Sequence, residues 1–165
     1  MAKYQEPNGL SDVAKFHDTF GLPVLDQPVI PDEKRCELRV SLLQEELNEL
    51  KEAIENNDLV EVADALCDIQ YVLSGAVHEF GLGPHFKSLF DEVQRSNMSK
   101  TCKTLEEATA TQEHYLKTKG TESTVEEKDG EYLVYRMGDR KVLKSIAYSP
   151  ADMAGMVHSI LEGNK

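Results

Sequence analysis

Hydrophobic residues recur at helical spacing over most of the first 120 residues. One stripe, at spacings of four, three and four, predicts a long helix over about 32–55 and consists of Leu43, Leu47, Leu50 and Ile54. A second stripe predicts a helix over about 58–80 and consists of Val62, Leu66, Ile69, Leu73, Ala76 and Phe80. Because only Asn56, Asn57 and Asp58 separate the two helices, we expect them to be antiparallel neighbours.

Three further helices are predicted around this pair. The first covers about 11–20, and Gly21 stops it. Another follows Pro84, and we expect its inward face to consist of Phe86, Leu89, Phe90 and Val93. Thr104 and Glu107 form a capping box for a helix that ends at about 117–120.

The pattern changes after Gly120. Short strand-like runs at 124–127, 131–136 and 141–146 are separated by Asp-Gly and Gly-Asp turn signals. Ser149 then caps a final helix from Pro150 to Gly163. The sequence therefore predicts an all-α antiparallel helical bundle over residues 1–120, followed by a β-hairpin and terminal helix over 121–165.

The composition narrows the function classes. Of the 165 residues, 40% are hydrophobic, and 18 basic against 30 acidic residues give a formal charge of -12. Such a chain repels nucleic acid and anionic membranes, so we expect neither as a partner. No signal peptide or membrane span is evident, and three cysteines without CxxC spacing are typical of reduced thiols. We therefore expect a cytoplasmic protein.

Acidic residues are concentrated between residues 45 and 68, where nine carboxylates accompany one base, Lys51. The ordinary interpretation of such a run is a solvated helix face. At about 100° per residue, however, only some of the acids point away from the first stripe. Those that we expect in solvent are Glu45, Glu52 and Glu55.

Five other carboxylates are predicted to converge on one groove. They lie on flanks of the same hand of the two antiparallel helices and are Glu46, Glu49, Glu61, Asp64 and Asp68. Counted from the turn at about 1.5 Å per residue, Glu49 is level with Asp64 and Glu46 with Asp68.

Such a group of carboxylates requires a cation, and oxygen ligands favour Mg²⁺ or Mn²⁺. A di-iron site is excluded because no histidine follows a glutamate at the required spacing. For Glu61 a second role stays open, since it could close a capping box with Asp58.

The acids also carry a family resemblance. Glu46-x-x-Glu49, eleven residues, then Glu61-x-x-Asp64 resembles the metal signature of all-α nucleoside triphosphate pyrophosphohydrolases, which include MazG-like proteins, phosphoribosyl-ATP pyrophosphohydrolases and dimeric dUTPases. Segments similar to the MazG-like, phosphoribosyl-ATP-pyrophosphohydrolase-like group lie at 16–23, 39–50, 61–73, 96–100 and 140–153. The resemblance implies that the four signature acids bind Mg²⁺, and we add Asp68, which extends the second motif on the same flank.

The resemblance also indicates substrate-binding residues. Asn97 and Lys100, in the segment 96–100, would contact phosphates, although a basic helix end is an alternative explanation for Lys100. Lys141 and Lys144 could serve a neighbouring site or belong to an ordinary hairpin surface.

Three residues of the first helices complete the substrate-binding set. Arg39 lies two turns before Glu46 on a similar flank. His17 resembles a residue of the family's N-terminal helix, which approaches the base, although a packed surface histidine is the alternative. Tyr71 lies on the carboxylate side of its helix and could contact a nucleotide.

The implied reaction is Mg²⁺-dependent hydrolysis of a nucleoside triphosphate, preferentially a dNTP, to a monophosphate and pyrophosphate. Glu46 and Glu49 are the catalytic candidates, and which carboxylate is the general base stays open. Alternatives are phosphoribosyl-ATP or dUTP hydrolysis, or a non-enzymatic helical interaction module that binds a structural cation. Family members usually form dimers or tetramers, so we expect a homo-oligomer.

Overall fold

The computed structural model describes residues 4–163 and is mostly helical, with a small two-stranded antiparallel sheet. In chain order its elements are α1 (Gly9–Phe20), α2 (Glu33–Glu55), α3 (Leu59–Glu79), a 3₁₀ turn (Gly83–His85), α4 (Phe86–Met98), α5 (Leu105–Lys119), β1 (Ser123–Lys128), β2 (Glu131–Arg136) and α6 (Met153–Gly163). Over residues 4–163, no helix combines the length and the apolar character that crossing a membrane requires.

The described residues form two compact units. One contains the residues up to Phe86 together with those from Ile160, and the other is Lys87–Ser159. The division does not fall at residue 120, where the sequence analysis places a boundary, because the helical segments 87–98 and 105–119 belong to the same unit as the hairpin. The division into domains 1–120 and 121–165 stays a prediction.

In the first unit, α3 packs against both α1 and α2. The ends of these helices follow from local chemistry. The Asp58 carboxylate accepts hydrogen bonds from two N–H groups of the first turn of α3, at 3.0 and 3.2 Å. Asp32 caps α2 in the same way at 3.1 Å, and Gly21 ends α1 in the left-handed conformation. The predicted limits of these helices are confirmed to within two residues.

The buried face of α2 and α3 differs from the predicted stripes. Ala53 and Ala65 are buried, whereas Leu47, Ile54 and Leu66 are 52%, 61% and 52% exposed. The two stripes are therefore only partly buried within the single chain. Since consecutive residues differ by about 100° around a helix, burial of the small Ala53 turns its larger neighbour Ile54 outward.

A buried ion-pair network ties α2 to the end of α3. The Glu79 side chain is 1% exposed and accepts hydrogen bonds from the guanidinium groups of Arg35 and Arg39. Burial acts to raise the pKa of Glu79, but the two guanidinium groups outweigh it and hold the pKa below its ordinary value. Glu79 is therefore a buried carboxylate that the fold keeps ionised.

His17 of α1 joins this network. Its Nδ1 donates to the carbonyl oxygen of Pro23 at 2.7 Å, which fixes the neutral tautomer in which Nε2 accepts from Arg39 Nη2 at 3.4 Å. A side chain at Gly75 would place its Cβ 2.7 Å from Arg39 Nη1 and 3.0 Å from His17 Nε2. An alanine at position 75 would therefore have to displace the buried Arg39 guanidinium group.

The second unit is built around a β-hairpin on which α5 packs. Asp129 and Gly130 both have positive φ, 54° and 79°, as a tight hairpin turn requires. The core beneath the hairpin consists of Cys102, Ala108, Val134 and Leu143. The predicted hairpin over these strands is confirmed, and its second strand spans the residues expected.

Four predictions about α4, the run 141–146 and α6 are wrong. The run 141–146 is not a strand, because only Val142 forms an isolated bridge, with Tyr135. The last helix begins at Met153 rather than Pro150, since the Asp152 carboxylate accepts from the Gly155 N–H at 2.9 Å and caps it.

The other two errors concern the inward face of α4 and the residue expected to cap α6. Phe90 and Val93 were assigned to the inward face of α4, but they are 60% and 39% exposed, and Leu89 is buried. Ser149 does not cap α6; its hydroxyl instead accepts a hydrogen bond from Arg95 Nη1 at 2.9 Å.

We expect Glu79→Gln to lower the free energy of unfolding by about 3 kcal/mol or more, because it leaves two guanidinium groups facing a neutral partner, one of them buried. Urea denaturation at pH 7 measures this. Glu55→Gln is the matched control: it removes an exposed pair with Lys51 and should change stability by less than about 1 kcal/mol.

The pH dependence gives an independent check on the same carboxylate. Because the native pKa of Glu79 is lowered, its contribution is complete above the ordinary value of 4.5 and is lost as the pH falls through the native pKa. The wild type should therefore lose stability more steeply than Glu79→Gln below pH 4.5. Parallel pH profiles, or equal losses in the two glutamine variants at pH 7, would contradict the assignment.

Candidate functional site

The five predicted acids lie on two helices that pack against each other. Glu46 and Glu49 belong to α2, and Glu61, Asp64 and Asp68 belong to α3. Glu46 is half-buried, and the other four are exposed. All five are therefore in the first unit, with four carboxylates accessible to a ligand from solvent.

Carboxylates on both helices affect the pKa of Glu46. Its pKa is raised, first by burial and then by the carboxylates of Asp68, Glu49, Glu45 and Asp64, in that order. Since Asp68 and Asp64 lie on α3, carboxylates of the two helices are close enough to repel one another. Among them Asp68 has the largest effect on Glu46.

A polar cavity of about 360 Å³ opens where α2 ends and α3 begins. Glu49 and Glu61 both line it, together with Glu52, Asn56 and Asp58. Glu52 is exposed, as expected, but because it shares this cavity it is not a remote solvent residue. The more suitable reference acid is Glu55, which lies outside the lining and pairs with Lys51 at 3.8 Å.

The alternative role of Glu61 in a capping box is not formed. In such a box the Glu61 carboxylate would accept from the Asp58 N–H, but this group donates to the carbonyl oxygen of Ala53 at 2.9 Å. The Asp58 side chain alone caps α3. The Glu61 carboxylate is thus directed to the cavity that it shares with Glu49.

The oxygen atoms of the five acids suit a hard divalent cation, although these side chains are not arranged around one point as its ligands. Within residues 4–163, no three His, Cys, Asp or Glu side chains are grouped closely enough to hold one metal ion. The five acids nevertheless offer oxygen ligands only, which Mg²⁺ prefers. Burial is the largest cause of the raised pKa of Glu46, and the repulsion between carboxylates that adds to it is a cost that a bound cation would offset.

The three substrate-binding candidates of the first unit differ in accessibility. His17 and Arg39 are 2% and 6% exposed and belong to the Glu79 network, so His17 is not the surface histidine of the alternative interpretation. Tyr71 is 40% exposed, and its ring stands edge-on to that of Phe16 at 5.7 Å. Only Tyr71 of the three therefore presents a surface to a nucleotide.

Glu79 was missed in the sequence analysis. The sequence does contain a signal for it: Glu79 is an acid in the last turn of α3, where the helix dipole disfavours negative charge, and its neighbour Phe80 is hydrophobic. Such a position indicates a specific cationic partner, but only the fold shows that Arg35 and Arg39 supply it.

The two remaining candidates lie in the second unit. Lys100 Nζ donates to the Asn97 side-chain oxygen at 2.7 Å, and the Lys100 N–H donates to the Asn97 carbonyl oxygen at 3.2 Å. Lys100 is half-buried and has no carboxylate among its described partners. The side-chain amide of Asn97, in the last turn of α4, therefore holds the ammonium group of Lys100, which lies just past the helix.

Comparison with known proteins places the acids in a family context. A model of the phosphoribosyl-ATP pyrophosphohydrolase family matches residues 13–97, just over half of the chain. The matched segment contains all five acids and Asn97 but stops before Lys100. The "Uncharacterized protein L479" of Acanthamoeba polyphaga mimivirus is 35% identical over 92 residues, which cover 53% of this chain and 37% of that protein. The chain thus spans little more than a third of the length of this relative.

We expect Glu46→Gln to raise the melting temperature of the metal-free protein at pH 7 by about 1–2 °C, because it removes a carboxylate that its neighbours repel. A group with a raised native pKa disfavours folding once the pH exceeds the unfolded pKa, so the gain should vanish below the ordinary value of 4.5. Calorimetry in EDTA at pH 4 and pH 7 measures both effects. A gain of the same size in Glu55→Gln would show that general charge reduction is responsible.

Proposed function

Because the chain belongs to the phosphoribosyl-ATP pyrophosphohydrolase family, we propose that it hydrolyses a nucleotide to release pyrophosphate. More specifically, the proposed substrate is a nucleoside triphosphate, preferably a dNTP, and the other product is the monophosphate. The observation that carries this proposal is the position of Glu46, Glu49, Glu61 and Asp64 on two packed helices inside the matched segment.

The proposed site holds Mg²⁺ on these four carboxylates, with Asp68 as a further ligand, between helices that we propose to be antiparallel. The bound cation would neutralise charge on the phosphate oxygens during the reaction. The half-buried position of Glu46 and the accessible position of Glu49 allow one carboxylate to hold the metal while another accepts the proton of the attacking water. Both residues are proposed as catalytic, and neither is singled out as the base.

Substrate contacts are proposed on the same grounds. Tyr71 is accessible to the nucleoside, and Lys100, oriented by Asn97, supplies positive charge for phosphate. His17 and Arg39 would have to leave the Glu79 network to touch a nucleotide. We therefore assign to these two residues a supporting role, in which they hold α1 and α2 against α3.

Other functions are tested beside this one. The matching family is described as a phosphoribosyl-ATP pyrophosphohydrolase, which favours phosphoribosyl-ATP as the substrate. The sequence resemblance also includes the dimeric dUTPases, so dUTP is a third candidate. A helical interaction module that binds a structural cation would use the same acids without chemistry. A nucleotide panel that contains dNTPs, dUTP and phosphoribosyl-ATP separates these readings.

With Mg²⁺, the purified protein should release pyrophosphate from at least one nucleotide of the panel, and excess EDTA should abolish the reaction. The products are measured by chromatography with separate assays for pyrophosphate and orthophosphate. Orthophosphate as the first product, or activity that persists in EDTA, would contradict the proposal. No turnover of any nucleotide would favour the interaction module.

Matched variants connect that activity to the acids. Glu49→Gln should lower kcat by about 10²-fold or more, the range for loss of a metal ligand or general base. Glu55→Gln lies on the same helix outside the cavity and should keep kcat within about twofold of wild type. Equal losses in the two variants would exclude a role for the cavity that Glu49 shares with Glu61.

We also propose that the protein is a homodimer or homotetramer. Large apolar side chains on α2 and α3 are exposed in the single chain, and a second copy would cover them: Leu47, Ile54, Leu59, Val60 and Leu66. Sedimentation equilibrium should give at least two chains per particle at micromolar concentration. A monomer over the whole accessible concentration range would contradict this assembly.

A further inference from the structure

The second unit contains a basic pocket that the proposed function does not use as a whole. Its volume is about 310 Å³, and its charged lining residues are Lys100, Lys119, Arg136, Lys141 and Lys144. None of the described residues that line it is acidic. In a chain with a formal charge of -12, five of the 18 basic residues therefore face one small cavity.

The positive charges of this basic pocket are largely uncompensated. Among the ion pairs of the described residues, only the one between Arg136 and Asp139 involves a cation of the pocket. The Lys119 ammonium lies over the Tyr115 ring at 5.0 Å, so an aromatic face rather than a carboxylate is its partner. Five cations that line one small cavity, most of them without a carboxylate partner, favour a bound anion.

The walls of the pocket are fixed by backbone hydrogen bonds. The Arg136 N–H donates to the Lys141 carbonyl oxygen at 2.9 Å, which joins the end of β2 to the segment after it. The Lys144 N–H donates to the Tyr115 hydroxyl at 3.3 Å, and the Ser145 N–H donates to the Lys100 carbonyl oxygen at 3.2 Å. The backbone that carries the cations is thus pre-organised, which lowers the entropy lost on binding.

We propose that this pocket binds the oligophosphate part of a small molecule, that is, two or three linked phosphate groups. Linked phosphates match several cations at once, and the Arg136 guanidinium supplies a planar fork for phosphate oxygens. The volume of about 310 Å³ is at the lower end of small-molecule sites and suits a compact anion rather than a polymer backbone.

The site is separate from the family match. Apart from Lys100, its lining residues lie between residues 115 and 144, and the whole lining lies beyond residue 97, where the match ends. A neighbouring cavity of about 370 Å³ shares Tyr115 and Lys144 with the basic pocket and is also lined by His114 and Tyr148. Aromatic rings there would stack on a base, so the oligophosphate could be inorganic or part of a nucleotide.

Calorimetric titration of the full chain in excess EDTA tests the proposal, because removal of divalent cations silences metal-dependent binding at the acidic site. Inorganic tripolyphosphate should bind saturably, at least tenfold more tightly than orthophosphate, and its affinity should fall as salt rises. Equal affinities of ATP and tripolyphosphate would show that the pocket recognises the phosphate chain alone. Tighter binding of ATP would identify a nucleotide, and both results support the pocket.

A charge-matched pair of double variants assigns the site. Lys141→Ala with Lys144→Ala should weaken tripolyphosphate binding at least tenfold, because two charge-assisted contacts are lost. Lys117→Ala with Lys128→Ala removes the same charge from exposed positions of the same unit outside the pocket and should stay within twofold of wild type. Melting curves of all variants establish that each is folded.

A measurement on the wild type keeps the proposal testable if the pocket variant does not fold. Amide NMR shifts on addition of tripolyphosphate should be largest at Tyr115 and at residues 141–144, which line the pocket. No saturable binding, equal losses in the two double variants, or shifts centred elsewhere would overturn the proposal. Tighter binding of a single-stranded oligonucleotide than of tripolyphosphate would overturn it as well, by identifying a polymer site.

Discussion

The first unit depends on one buried carboxylate. Glu79 is 1% exposed and stays ionised only because Arg35 and Arg39 donate to it. Since both arginines lie near the start of α2 and Glu79 is in the last turn of α3, the contact fixes the two helices at one end. The three-residue turn between Glu55 and Leu59 fixes them at the other end. Held at both ends, the helices have a defined rotation, and this rotation brings Glu46 within range of the charges on Asp68.

The molecule carries two opposite charge concentrations that its own residues leave unbalanced. Carboxylates on α2 and α3 repel one another in the first unit, and ammonium and guanidinium groups surround the basic pocket in the second. Both arrangements favour a ligand of opposite sign. Such unbalanced charge is common where a fold serves binding rather than stability alone.

Much of the secondary structure could be predicted because its signals are local. Asp58, Gly21 and the Asp129-Gly130 pair mark helix ends and a hairpin turn through their own backbone chemistry. The errors have non-local causes. Ile54 is exposed because α2 is docked along Ala53, and 141–146 is not a strand because only Val142 bridges to Tyr135. The acidic residues were assigned to the correct helices from periodicity, but their roles as metal ligands stay predictions, since side-chain grouping depends on a ligand.

Gly75 shows how the network constrains the chain that surrounds it. A glycine in the interior of a helix costs about 0.5–1 kcal/mol relative to alanine, because the unfolded backbone is freer. The usual way to stabilise such a helix is to replace the glycine by alanine. At position 75 the methyl group of an alanine would lie 2.7 Å from a guanidinium nitrogen of Arg39, whose other nitrogen donates to Glu79. The last two turns of α3 therefore contain a residue that weakens the helix, and its replacement by alanine would disturb the contact of Arg39 with Glu79. Any effort to make this protein more heat-resistant has to leave that residue alone and strengthen the helix elsewhere.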